Sequence, residues 1–174
     1  YRVCDGRSNK RARNTAYLQQ FLALVEQDAP VKDPRKAFLL DFGRFLDKYQ
    51  QQGCALLVMA DANSALVPGS DWQDFVGTHR LVDCFRARHD SAIPTHNRGS
   101  RQIDFILISQ DLVPALQAST LEQFGESPYP GPDHRGLLAV FDRKTLLGGT
   151  TLSAAVQTPR ALQSKHPNIV CRYL

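Results

Sequence analysis

Several absences narrow this chain before any motif is read. No apolar stretch approaches the roughly 20 residues that a membrane-spanning helix needs, and no signal-peptide pattern opens the sequence. Internal repeats and low-complexity tracts are missing, so solenoids and disordered linkers are set aside. The four cysteines, Cys4, Cys54, Cys84 and Cys171, show no C-x-x-C spacing. That argues against a zinc ribbon and against a small disulfide scaffold, and it fits a reduced, intracellular compartment. Cys54 and Cys84 sit among apolar neighbours and are expected in the core. The single methionine is Met59, so translation cannot begin at Tyr1 and the chain is expected to be a piece of a longer or processed protein.

What remains is 174 residues, 43% hydrophobic and 22% charged, enough for one globular domain with a real core. Lys and Arg number 21 against 17 Asp and Glu. The excess is uneven. Arg2, Arg7, Lys10, Arg11 and Arg13 face Asp5 alone at the start, and Arg86, Arg88, Arg98 and Arg101 crowd a second stretch. Clustered arginines suit phosphate oxygens, although a solvated basic loop has the same composition.

Periodicity predicts a helix over 15–27 with Asn14 as its N-cap and Leu18, Phe21, Leu22 and Val25 on one face. Asp33 followed by Pro34 starts a second helix that runs to Gly53. Its stripe of Phe38, Leu39, Phe42, Phe45, Leu46 and Tyr49 reads as core packing. Apolar runs at 54–60, 103–108 and 137–141 read as buried strands. Trp72, Phe75 and Val76 mark a short helix, 81–85 a strand or turn, and 90–101 and 125–136 loops. Gly148-Gly149 breaks the tail, with a last helix expected after Pro159. Mixed elements of this kind imply an α/β layered domain.

Three polar groups punctuate the apolar runs: Asp61 and Asn63 after the first, Asp104 at the start of the second, and Asp133-His134 just before the third. Polar side chains at the ends of rigid strands can be aimed at one point, as a hydrolytic site requires. Each alone reads equally well as a turn. His79, His89, His96 and His166 lack ligand spacing with one another and are expected to be exposed or locally bonded.

Taken together, these stretches resemble the endonuclease/exonuclease/phosphatase family, the deoxyribonuclease-like fold. Ala60-Asp61-Ala62-Asn63 resembles its Gly-Asp-x-Asn, Ile103-Asp104-Phe105-Ile106 its Ile-Asp-Tyr-Ile, and Pro132-Asp133-His134 its Ser-Asp-His. Leu81-Val82-Asp83 and Thr95 are similar to the linking region of retroelement endonuclease domains. Tyr1-Arg2-Val3-Cys4 resembles a strand-end tyrosine segment, with Arg7 at a DNA-contacting position. The likeness covers about residues 1–142, and the domain is placed at 1–145 with a tail over 146–174.

The resemblance implies a four-layered α/β sandwich whose N-terminal half, with its metal-binding Glu, lies outside this chain and comes from a parent polypeptide. It implies a Mg²⁺-dependent phosphodiester hydrolase (Mn²⁺ as the substitute), an endonuclease of a retroelement polyprotein acting on nucleic acid, DNA above RNA. An intracellular location, the nucleus included, follows. His134 would meet the scissile phosphate, held by Asp104. Asp61 would orient the attacking water, and Asn63 and Tyr1 would bond phosphate oxygens. Asp133 and Asp61 would be metal-side carboxylates, and Arg7, Arg98 and Arg101 would contact nucleic acid. The alternatives are a degenerate, non-catalytic fragment that binds nucleic acid or protein, and a phosphatase of the same fold.

Overall fold

The computed structural model describes residues 15–125 and 133–148, so Tyr1, Arg7, Cys4, Cys171, His166 and the expected helix after Pro159 lie outside the described residues. The first helix, α1 (Ala16–Glu26), is capped one residue later than the sequence pattern implied. Thr15, not Asn14, accepts from the Leu18 amide at 3.3 Å, because its hydroxyl reaches the third helical N–H. Helix α2 (Pro34–Gln51) starts as expected: the Asp33 carboxylate accepts from Arg35 N at 2.8 Å and Pro34 opens the first turn. Gly53 follows its end with φ of 75°, in the left-handed region that glycine adopts without strain.

A three-stranded antiparallel sheet with order β1-β3-β2 is built from β1 (Leu57–Asp61), β3 (Asp104–Ser109) and β2 (Leu81–Asp83). The short helix α3 (Asp71–Thr78) precedes β2, with Ser70 accepting from Gln73 N at 3.1 Å as its cap. A 3₁₀ segment (Gln110–Ala115) leads to β4 (Leu116–Leu121), which pairs with β5 (Leu137–Phe141), and α4 (Arg143–Leu146) follows. Strand β4, the 3₁₀ turn and α4 were not apparent in the sequence. Pro114 and the polar Gln117, Ser119 and Thr120 obscure the apolar alternation there.

The alternation of β3 explains the layering. Phe105 and Leu107 point to one face, where they join Leu46, Leu66, Trp72, Phe75, Val76 and Leu81 beneath α2 and α3. Ile106 and Ile108 point to the other, where Leu116, Leu137, Ala139 and Phe141 cover them. Successive strand side chains must alternate, so a strand covered on both faces becomes a continuous apolar run. Ring contacts join the helices to the sheet: Phe42 to Phe75 and Trp72 to Phe75 stack, each at 5.4 Å, and Trp72 meets Phe105 tilted at 5.9 Å. Gly43 allows the α2–α3 approach, since a Cβ there would stand 2.7 Å from His79 Nε2.

Two expectations about the core are corrected. Cys54 is exposed, because the strand begins only at Leu57 and Cys54 still belongs to the turn leaving α2. Cys84 is buried, and burial pushes its thiol up to about 11, so it is an inert core group. The α2 stripe is wider than one interface can cover. Leu39, Phe42 and Leu46 meet the core, whereas Phe38 and Phe45 face solvent. Among the described residues, no helix is long and apolar enough to cross a membrane.

Candidate active site

The register of β1 against β3 sets Asp61 directly opposite Asp104. Both lie on the sheet face that carries Ile106 and Ile108, and Ala62 N continues the pairing to Ile103 O at 2.9 Å. Two carboxylates facing each other across a strand pair repel, so the arrangement calls for a cation between or beside them. His134 stands there. Its Nδ1 lies 2.9 Å from Asp104 Oδ2. An ionised carboxylate only accepts, so Nδ1–H donates and Nε2 takes no part in that bond.

The arginine-bearing loop builds the seat for that histidine. Thr95, fully buried, accepts through Oγ1 from Ile103 N at 3.0 Å and Asp104 N at 3.2 Å, fixing the entry to β3. The same residue's carbonyl accepts from Arg135 N at 2.8 Å, and Asn97 N donates to Asp133 O at 2.8 Å. Residues 95–97 and 133–135 therefore run as a short antiparallel bridge, with His96 opposite His134. Behind Asp104, buried Gln102 donates to Asp83 Oδ2 at 2.9 Å and to the Asp104 carbonyl at 3.2 Å. Burial raises the Asp83 carboxyl above its ordinary value, an effect that the Gln102 bond, the Phe85 amide and Arg86 oppose.

Electrostatics favour a charged His134. Burial works against the cation, but the hydrogen bond and charge of Asp104, with Asp61 and Asp133 farther off, outweigh it and raise His134 above its ordinary 6.5. Asp133 is held below the usual carboxylate range by a backbone hydrogen bond first, with His134 and His96 adding to it.

The structure thus brings Asp61, Asp104 and His134 together, and it sets Asp133 beside His134 and His96. Asn63 is tied to the group through its backbone: its N–H donates to Asp61 Oδ1 at 3.1 Å, and its φ of 48° is one that asparagine tolerates. The Asp61-Ala62-Asn63 turn is therefore both a local turn and the end of a site-bearing strand. Arg98 and Arg101 are exposed on the loop that carries His96. His96 was expected among the exposed or locally bonded histidines. It is locally bonded, its Nδ1 accepting from Arg98 N at 3.1 Å, and in addition its Nε2 lies 3.3 Å from Asp133 Oδ2 and its ring meets that of His134 edge to face, centroids 4.8 Å apart. Thr95, Gln102 and Asp83 are the other contributors that sequence reasoning gave no role. The only signal was their position in or beside the recognised stretches.

Among the described residues, two groups could hold a metal ion: Asp61, Asp104 and His134, and His96, Asp133 and His134, each with its donor atoms within 4.8 Å of one another. The donor chemistry fits a hard cation through carboxylate oxygens. His134 Nδ1 and Asp104 Oδ2 are already bonded to each other, which leaves Asp61 and the second oxygen of Asp104 in the first group and Asp133 as the carboxylate of the second.

Among solved structures, the chain is similar to the 3′ phosphatase NExo from Neisseria, bound to a product DNA hairpin, with a TM-score of 0.52 and 19% identity over 60% of this chain and 51% of that one. It is equally similar to the 3′-5′ exonuclease NExo from Neisseria meningitidis, with a TM-score of 0.52 and 20% identity over 60% of this chain and 52% of that one. The chain spans about half the length of these neighbours, and at such identity the likeness establishes the fold alone. No protein-family model matches the chain, and no curated protein does.

Proposed function

We propose that this chain is the C-terminal part of a metal-dependent phosphodiester hydrolase that acts on nucleic acid, DNA in particular, as an endonuclease domain of a retroelement polyprotein. The observation that carries the reading is the Asp104–His134 hydrogen bond of 2.9 Å beside the opposed carboxylate of Asp61. A strand-borne carboxylate fixes the imidazole's orientation and favours its charged form. His134 Nε2 then meets a phosphoryl oxygen, Asp61 orients or deprotonates the attacking water, and Asn63 bonds a phosphate oxygen. Asp133 and Asp61 hold the cation, Mg²⁺ or Mn²⁺, which offsets phosphoryl charge when bound. Arg98 and Arg101, exposed on the adjoining loop, contact the backbone of the nucleic acid. Tyr1 and Arg7 keep the roles of phosphate donor and DNA contact that the resemblance implies.

The remaining half of a four-layered sandwich comes, in this reading, from the parent polypeptide. Support lies in the coverage of about half of each structural neighbour and in the open side of the sheet. Leu57 and Met59 lie on the face of Asp61 and are 47% and 74% exposed, and β1 is an edge strand among the described residues. A second reading, a phosphatase or exonuclease using the same residues, is favoured by the activities of those neighbours, a 3′ phosphatase and a 3′-5′ exonuclease.

The test is hydrolysis with Mg²⁺ by the 174-residue chain alone and by the chain with the preceding half-domain restored. Plasmid DNA and a 3′-phosphorylated oligonucleotide serve as substrates. We expect weak cutting alone, robust plasmid cutting after restoration, and loss of both on Asp61→Ala. Release of phosphate without nicking favours the second reading. Inactivity in both forms makes the chain a non-catalytic binding fragment, and strong cutting by the chain alone contradicts the need for another half.

A further inference from the structure

The proton position on His96 follows from its two neighbours. Nδ1 accepts from the Arg98 backbone N–H at 3.1 Å. A backbone amide nitrogen can only donate, so Nδ1 presents its lone pair and the neutral ring carries its proton on Nε2. That nitrogen is the one 3.3 Å from Asp133 Oδ2, an ion-pair contact slightly longer than an ordinary N–H···O hydrogen bond, and a carboxylate can only accept. The His96 side chain is 23% exposed and that of Asp133 is 62% exposed, so a largely buried ring meets a carboxylate otherwise open to solvent. The neighbouring amide of Asn97 donates to the Asp133 carbonyl at 2.8 Å, so backbone and side chain of Asp133 are engaged by consecutive residues of one loop.

His134 has the opposite arrangement. It spends Nδ1–H on Asp104 and keeps Nε2 out of that bond. The two rings meet at 85°, so displacement of one is resisted by the other.

We propose that His96 is a positioning residue: its Nε2–H holds the Asp133 carboxylate beside His134 with Oδ1 left for a divalent cation. This deepens the function proposed above and rests on Asp133 as a metal-side carboxylate. It also has a consequence for metal choice. With Nδ1 accepting from Arg98 and Nε2 protonated, His96 has no free lone pair, so His96, Asp133 and His134 do not form a three-ligand transition-metal site. The cation sees carboxylate oxygens, as Mg²⁺ and Mn²⁺ prefer. Ligand-orienting partners of this kind are worth about 10- to 100-fold in metal affinity or activity.

Two measurements on the 174-residue chain test this. Long-range ¹H–¹⁵N spectra of the histidine rings should show His96 protonated at Nε2, and a proton on Nδ1 overturns the proposal whatever the enzyme does. Mn²⁺ binding, followed by the spin-resonance signal of the free ion, should weaken about 10- to 100-fold in His96→Ala. It should largely recover in His96→Gln, which keeps a side-chain N–H at similar reach. If Asp133→Ala loses Mn²⁺ affinity and His96→Ala keeps it, the positioning role is wrong and the metal-side reading stands. If neither Asp133→Ala nor Asp61→Ala changes affinity, the metal-side reading itself falls.

Discussion

Strands β3 and β1 are neighbours in one sheet, yet they live in different surroundings. From Phe105 to Ser109 every residue of β3 is buried, enclosed by the α2–α3 helices on one face and by β4–β5 on the other. In β1, Val58 and Ala60 share the helix-covered core, while Leu57 and Met59 on the opposite face stand open. Asp104 leads the enclosed strand and Asp61 ends the open one. The candidate site therefore straddles the boundary between a finished interior and an uncovered face. Its anchored component is the Asp104–His134 pair, backed by Thr95 and Gln102. Its exposed component is Asp61, where solvent, substrate or another layer of protein has access.

The contrast between the strands should break most visibly at Phe105. Phe105→Ala removes a ring that is 2% exposed from beneath Trp72, and should cost about 3–5 kcal/mol in urea-unfolding stability. A loss below about 1 kcal/mol would mean that the enclosed face is poorly packed. Next in size is the arginine loop. Arg98→Ala with Arg101→Ala should flatten the salt dependence of DNA affinity by about one logarithmic unit of slope per lost phosphate contact, and an unchanged slope returns the loop to solvent.

The pH response should be smaller. A His134 raised by its partners contributes stability that is fully present below the unfolded-state value and is lost as pH rises through the folded one. Wild type should therefore lose its advantage over His134→Gln as pH climbs above the ordinary 6.5, and a constant difference between pH 5 and 8 would contradict the Asp104 pairing. The smallest effect belongs to Met59. Being 74% exposed, it should tolerate Met59→Ser within about 0.5 kcal/mol in the isolated chain. In a protein with the facing layer present the same change should cost more, and equal costs in both would remove the case for a covering half.

Much of the enclosed region was legible in the sequence. The run 103–108 reads as a strand because both its faces are apolar, and Asp33-Pro34 announces α2 through capping chemistry that is local in the chain. The strand-end placement of Asp61, Asp104 and His134 was likewise readable from residue types at the ends of apolar runs. The contribution of His96 was not, because it arises from the bridge between residues 95–97 and 133–135, and pairing of distant backbone leaves no mark on spacing. Cys54 misled for a related reason: apolar neighbours in sequence became neighbours in a turn, not in a core. The stripe on α2 showed which residues are apolar but not how wide an interface would meet them, so Phe38 and Phe45 face solvent.

The central claim is that Asp104 and His134 act as one unit on a scissile phosphate. A double-mutant cycle on Mg²⁺-dependent DNA cleavage, made in the form with the preceding half-domain restored, tests it most directly. His134→Ala should slow turnover by about 10²–10⁴-fold. Asp104→Asn should slow it through the imidazole it orients, and the double variant should be no slower than His134→Ala alone, because a partner's effect vanishes with the group it acts through. Fully multiplicative losses, or wild-type turnover in His134→Ala, would contradict the account.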